Sequence, residues 1–187
     1  MDLLDAHRRA MAEFDRRVRA VPMDRWEAAT PCVEWTVHDL VNHLVVEQLW
    51  VPLLLDGATV AEVGDRFDGD QLGSDPVAAW SAAARVAEEA WREPGATEGM
   101  VHVSTGLIPA AEYGWQMVDD LTVHAWDLAV GIGVDGALDD DLVTAVYDDL
   151  RPQVEDWRGA GLFAPPQPAP EGASEQERLL AWLGRRV

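Results

Sequence analysis

Two short stretches of this sequence place ionisable side chains one helical turn apart among apolar neighbours. In VNHLVVEQLW, Val41–Trp50, these are His43 and Glu47; in QMVDDLTVHAWDLAVGIG they are Asp120 and His124, with Gln116 and Asp127 extending the stripe. Residues four apart leave a helix on the same face. An imidazole or carboxylate buried there without a partner costs several kcal/mol, so such groups need a reason. An Asp-x-x-x-His pair on one helix and a His on another are suitable ligands for a divalent cation inside a bundle. Three protein ligands would leave a fourth position open for water or substrate, as in a reactive metal site. The spacing alone leaves blander readings open: His43 as a core histidine satisfied by a hydroxyl or by Glu47, and the 116–127 stripe as a narrow exposed edge.

The elements that must position these groups are helical. Leu3, Leu4, His7, Met11, Phe14 and Val18 recur at helical spacing and predict a first helix ending before Pro22. Thr36 with Asp39 reads as a capping box that starts a second helix, Val37 to Leu55, with a bend at Pro52 and a stop at Asp56-Gly57. On its wheel, Leu40, Leu44, Val46, Trp50, Val51 and Leu54 form the apolar face, with His43 near the middle and Glu47 beside it; Asn42, Gln48 and His38 point away. One turn is expected at Val60–Val63. A third long helix runs from Val77 to Trp91 behind Asp75-Pro76. Met100–Ser104 reads as a short strand or extended loop. A fourth helix spans Ala110 to about Val130, apolar on both flanks of its polar stripe and so central. A fifth runs from Asp139 to Trp157. The Pro-rich FAPPQPAPEGAS is extended, and Glu175–Gly184 closes the chain as a short helix. The expected fold is all-α: a four-helix bundle in a single domain over 1–187, with a Pro-rich extension and short terminal helix from about residue 160 packing on it.

Bulk composition narrows the function. The 187 residues are 48% apolar and 26% charged, with nine Trp and a net charge of −20, which describes a globular chain with a solvated acidic surface. That charge argues against nucleic acid and against anionic membranes as partners. Cys32 is the single cysteine, so no internal disulfide forms, and the N-terminus lacks the apolar run of a signal peptide. A cytoplasmic protein is expected. Cys32 lies near the start of the second helix, where a thiol pKa can fall; with no base assigned to it, it reads as structural. His102 reads as a surface histidine, and His7 and His38 fall outside the proposed site.

The run TPCVEWTVHDLVNHLVVEQLW, followed by EVGDRFDGDQLGSDPVAAW, resembles the DinB-like, mycothiol-dependent maleylpyruvate isomerase N-terminal superfamily. VHVSTGLIPAAEYGWQMVDDLTVHAWDLAVGIG and FAPPQPAPEGASEQERLLAWLG fit the same group, in particular its actinobacterial branch with both the TPC-x-x-W-T-V-x-D-L-V-N-H and V-H-A-W-D-L-A signatures. The resemblance covers nearly the whole chain. It implies a DinB-type four-helix bundle holding a divalent metal, often zinc or nickel. The ligands map onto His43 of the second helix and onto Asp120 and His124 of the later one. Family members more often carry His or Glu where this chain has Asp120, and the shorter aspartate implies a looser site. Glu47 would serve as a hydrogen-bonding support or as a base beside the open position.

The resemblance also implies thiol chemistry, because relatives use the metal to bind and activate a low-molecular-weight thiol, here mycothiol. The expected activity is S-transfer to a small electrophile or thiol-dependent isomerisation. The full isomerase has an additional C-terminal domain; 187 residues leave no room for one of similar size, which favours a transferase role. The alternative expectation is a non-catalytic bundle that holds a metal or small ligand in a stress or regulatory role. Family members are often dimers, which allows a homodimer here without fixing the state.

Overall fold

The computed structural model describes residues 1–159, 161 and 163–187; Ala160 and Leu162, at the start of the Pro-rich extension, lie outside the described residues. Eight helices and one two-stranded antiparallel sheet are present among the described residues. α1 spans Leu3–Val18, opened by the Asp2 carboxylate, which accepts from the Asp5 N–H. Its helical apolar spacing buries Ala6, His7, Ala10, Met11, Phe14 and Val18. α2, Val37–Leu55, begins at the expected capping box: Thr36 accepts from the Asp39 N–H, and the Asp39 carboxylate accepts from the Thr36 N–H. The helix continues through Pro52. α3 is the single turn Val60–Val63, and α4 runs Pro76–Trp91 behind an Asp75 cap.

Two strands follow, β1 at Met100–Val103 and β2 at Gly106–Pro109, paired in register from Met100 with Pro109 to Val103 with Gly106. Only the first was expected. α5, Ala110–Ile132, is the central element and packs on α1, α2, α6 and both strands. It comes so close to α1 that a Cβ on Gly114 would stand 2.8 Å from the Leu3 side chain and 3.3 Å from the Trp91 ring, so a larger residue there would have to displace Leu3. The left-handed Gly133, φ 76°, ends it. α1 and α4 also pack together, as do α2 and α4.

The expected fifth helix, Asp139–Trp157, is two helices: α6 at Asp140–Leu150 and α7 at Val154–Gly159. Pro152 is the reason, since it has no N–H to continue the ladder and its ring crowds the carbonyl four residues back, although Arg151 before it keeps helical angles, φ −54° and ψ −40°. α8, Glu175–Trp182, stops two residues short of the expected Gly184 and packs on α6.

The wheel of α2 is rotated from the expected one. Its buried residues are Val37, Leu40, Val41, Leu44, Val45, Gln48, Val51 and Leu54, while Val46 and Trp50 are only partly covered. Gln48 is therefore inside the core, fully buried and, among the described residues, with no hydrogen-bond partner for either side-chain polar atom. His43 and Glu47 stand at the margin of the buried face, not at its middle, and that margin faces α5.

Candidate metal centre

α2 and α5 bring His43, Asp120 and His124 together. The Asp120 carboxylate lies between the imidazoles, with one oxygen 2.9 Å from His43 Nε2 and the other 3.2 Å from His124 Nε2. One ligand atom from each residue falls within 4.8 Å of the others. Ligand atoms tetrahedrally arranged around an ion at about 2.0–2.1 Å are roughly 3.3 Å apart, so this nitrogen and oxygen set fits a zinc-sized divalent cation. The shorter aspartate reaches both histidines in this packing. His124 is 8% exposed, whereas the His43 and Asp120 side chains keep 28% and 32% of their surface open. The cluster is rooted in the core and accessible from one side.

His124 is the pivot. Its second ring nitrogen, Nδ1, is 3.0 Å from Asp127 Oδ2, one turn along α5. A carboxylate that accepts from Nδ1–H fixes the tautomer and leaves Nε2 free to bind a metal. Asp127 is fully buried and also accepts from the Cys32 thiol at 3.3 Å and from Arg185 at 2.8 Å. Cys32 Sγ is 3.6 Å from His124 Nδ1. Cys32, His124 and Asp127 thus form a second group of converging ligand atoms. The lone cysteine, read from sequence as structural, borders the candidate centre.

The turn after Cys32 carries Trp35 over the cluster. Its ring centroid is 4.9 Å from that of His43 and 5.8 Å from that of His124, and the two imidazoles meet edge to face at 5.4 Å. Glu34, inside this turn, has φ 70° and is the non-glycine residue in the left-handed region among the described residues. Left-handed backbone costs an L-residue about 1–2 kcal/mol, and glycine returns part of that relief as unfolded-state entropy. Glu34→Gly is accordingly expected to stabilise the protein by about 0.5–1 kcal/mol, read as a higher urea midpoint at unchanged m-value; a lower midpoint would show that the Glu34 side chain holds the turn.

The electrostatics of the cluster call for positive charge. For Asp120, burial opposes ionisation, yet His124 and His43 hold its pKa well below the carboxylate range. Burial by itself would lower both imidazoles; the Asp120 charge outweighs it and raises His43, and raises His124 further with help from Asp127. Asp127 is held down to about 2, since the hydrogen bond from His124 and the Arg185 charge overcome its burial. Glu47 is pushed up, first by burial and then by the Asp120 charge. A divalent ion would take the place of the protons that otherwise balance Asp120.

The remaining histidines stay apart from this cluster. His38 pairs with Asp70 at 3.6 Å, His7 packs on Trp91, and His102 stands opposite Leu107 in the hairpin. Two surface cavities of about 330 and 260 Å³ line α1 and α4, and neither includes a residue of the cluster. No helix among the described residues is long and apolar enough to cross a membrane.

Comparison with known proteins agrees with this architecture. Two uncharacterized proteins of Mycobacterium tuberculosis, from strains CDC 1551 and H37Rv, are each 35% identical over 193 residues and are matched over 100% of both chains. Among solved structures, mycothiol-dependent maleylpyruvate isomerase superposes with a TM-score of 0.61 at 18% identity, and a histidine-to-alanine mutant of it with 0.60 at 17%. Both superpositions cover 76% of this chain and 65% of the solved chain, so this chain spans under two thirds of that enzyme and shares its fold. The family model for the mycothiol maleylpyruvate isomerase N-terminal domain matches residues 7–129, from within α1 to the last turn of the helix that carries Asp120, His124 and Asp127. The chain belongs to the mycothiol maleylpyruvate isomerase N-terminal domain family.

Proposed function

We propose that this protein is a metal-dependent enzyme of low-molecular-weight thiols, an S-transferase or thiol-dependent isomerase that uses mycothiol on a small electrophile. The observation that carries the reading is the convergence of His43, Asp120 and His124, with Asp127 behind the outer nitrogen of His124. Family membership supplies the thiol: the solved enzyme that shares this fold is mycothiol-dependent by name. In this reading α1, α2, α4 and α5 act as a DinB-type four-helix bundle, and residues 1–187 work as one domain with the C-terminal extension docked on it.

His43, Asp120 and His124 would hold a zinc or nickel ion, and such an ion supplies a lowered pKa for a thiol at its open position. The chain's own groups then have distinct tasks. Asp127 keeps the His124 ring oriented with Nε2 facing Asp120. Trp35 covers the imidazoles on one side and limits approach to the partly open His43–Asp120 side. Glu47, whose pKa is raised by burial, is suited to take the thiol proton and return it to the product.

The test is metal content by mass spectrometry of protein purified without a histidine tag, beside His43→Ala and His124→Ala. Near-stoichiometric metal in the parent and a fall of tenfold or more in both variants are expected, followed by thiol transfer from mycothiol to a model electrophile. A parent that takes up neither zinc nor nickel would sink the metal reading and leave a non-catalytic ligand-binding bundle.

A further inference from the structure

Arg185 lies beyond the last helix, far in sequence from the cluster and outside the stretch that matches the family model. Its guanidinium nonetheless reaches Asp127. Nη2 donates to Oδ2 at 2.8 Å and Nε donates to Oδ1 at 3.3 Å, so both carboxylate oxygens are engaged by one rigid fork. Nη1 donates to the Leu183 carbonyl at 3.0 Å, which anchors the guanidinium to its own segment. The Arg185 side chain is 13% exposed, and Asp127 is fully buried. Asp127 in turn meets His124 Nδ1 at 3.0 Å.

The chain is turned to make this contact. Gly184 has φ 89°, and a Cβ there would fall 2.6 Å from the Ala164 Cβ and 2.9 Å from its carbonyl oxygen, so only glycine fits the reversal. The Gly184 N–H donates to Ala181 O, and the Arg185 N–H donates to Leu180 O. The backbone after α8 is thus bonded back onto that helix, aiming Arg185 inward.

We propose that Arg185 is a positioning residue for the metal ligands, acting through Asp127 to hold the His124 ring and thereby making the docked C-terminal segment part of the centre. The inference rests on the metal reading above. A carboxylate gripped on both oxygens cannot rotate, and a fixed acceptor at Nδ1 fixes the direction of Nε2. Without the fork, Asp127 keeps only His124 and Cys32 as partners and loses its orientation. Supports of this kind are worth about 10–100-fold in metal affinity.

The experiment measures cobalt(II) affinity by competition with a chelator, together with the visible spectrum of the bound ion, on four full-length proteins. These are the parent, Arg185→Gln, Arg185→Lys and Arg158→Gln. Arg158 also ties down the C-terminal segment, donating to the Trp182 carbonyl at 3.0 Å, and has no hydrogen bond to Asp127. Arg185→Gln is expected to weaken binding 10–100-fold and to shift the cobalt spectrum, with Arg185→Lys in between and Arg158→Gln like the parent. Should Arg185→Gln fail to fold, the comparison of Arg185→Lys with Arg158→Gln decides. Equal affinity in the parent and the Arg185 variants overturns the proposal alone, as does an equal loss in Arg158→Gln, which would reduce Arg185 to a structural tie. A parent that binds no cobalt overturns the metal reading and this proposal together.

Discussion

Asp127→Ala is expected to lower the unfolding free energy by about 3–5 kcal/mol. Asp127 is fully buried and is the acceptor for Arg185, His124 and Cys32 at once. Truncation leaves the Arg185 charge inside without its counter-ion and removes the acceptor for His124 Nδ1. The cost therefore comes from groups left unpaired more than from the bond removed. A paired replacement separates the two roles of the carboxylate. Asp127→Leu with Arg185→Met removes both charges and keeps apolar volume, so most of the stability should return, as it does for other buried ion pairs. Metal affinity should not return, because the His124 ring still lacks its carboxylate acceptor and keeps only the weaker Cys32 sulfur, 3.6 Å from Nδ1. Urea unfolding of the single and double variants, at pH 7 and beside cobalt binding, reads both quantities. A single-variant cost below about 1 kcal/mol would mean that water reaches the pair, and a double variant with parental metal affinity would remove Asp127 from the metal centre.

How much of this was legible beforehand follows from the range of each interaction. The bounds of α2 could be read because Thr36 and Asp39 cap within three residues and Asp56-Gly57 ends the helix just as locally. His43, Asp120 and His124 could be selected because one helical turn separates Asp120 from His124 and because the family signatures supply the rest. That His43 Nε2 lies 2.9 Å from Asp120 spans 77 residues of chain and needed the packing of α2 on α5. The group behind His124 was harder still. Cys32 is 92 residues from His124, Arg185 is 58 from Asp127, and no local pattern marks either as a neighbour.

Other misses were signals passed over or rules that fail locally. Pro152 stood in the middle of the expected fifth helix and marked its break. The expected wheel, centred near His43, points Gln48 away from the core, yet the observed buried face is rotated and carries Gln48 inward with Leu44 and Val51. The Gln48 amide joins His7 Nε2, Trp91 Nε1 and the Tyr113 hydroxyl as buried polar atoms with no partner among the described residues. The interior is thus less apolar than the hydrophobic pattern suggested, and part of its stability depends on how those groups are charged.

His7 makes that dependence measurable, with a loss of about 3 kcal/mol of stability expected between pH 7 and pH 4 beyond that of a His7→Leu variant. Its ring is 4% exposed, packs against Trp91 at 5.8 Å and has no partner for Nε2 among the described residues. Burial first, and then the nearby Arg92 charge, lower its pKa from 6.5 to about 4. The folded protein keeps the ring neutral where the unfolded chain protonates it, so between those values the unfolded state binds more protons. Stability is then fully present above about pH 6.5 and is lost as the pH falls towards 4. At about 1.4 kcal/mol per unit, a shift of that size corresponds to about 3 kcal/mol. Contributions from all other titrating groups are common to both proteins and cancel in the difference. Urea unfolding of the parent and His7→Leu, taken with a chelator present at pH 7, 6, 5 and 4, should show the parent losing ground to the variant as the pH falls, so that the curves converge if the parent is the more stable at pH 7 and diverge if the variant is. Parallel curves would mean that His7 is charged in the folded state, which places a counter-ion or water beside Nε2 and makes this corner of the core open to solvent.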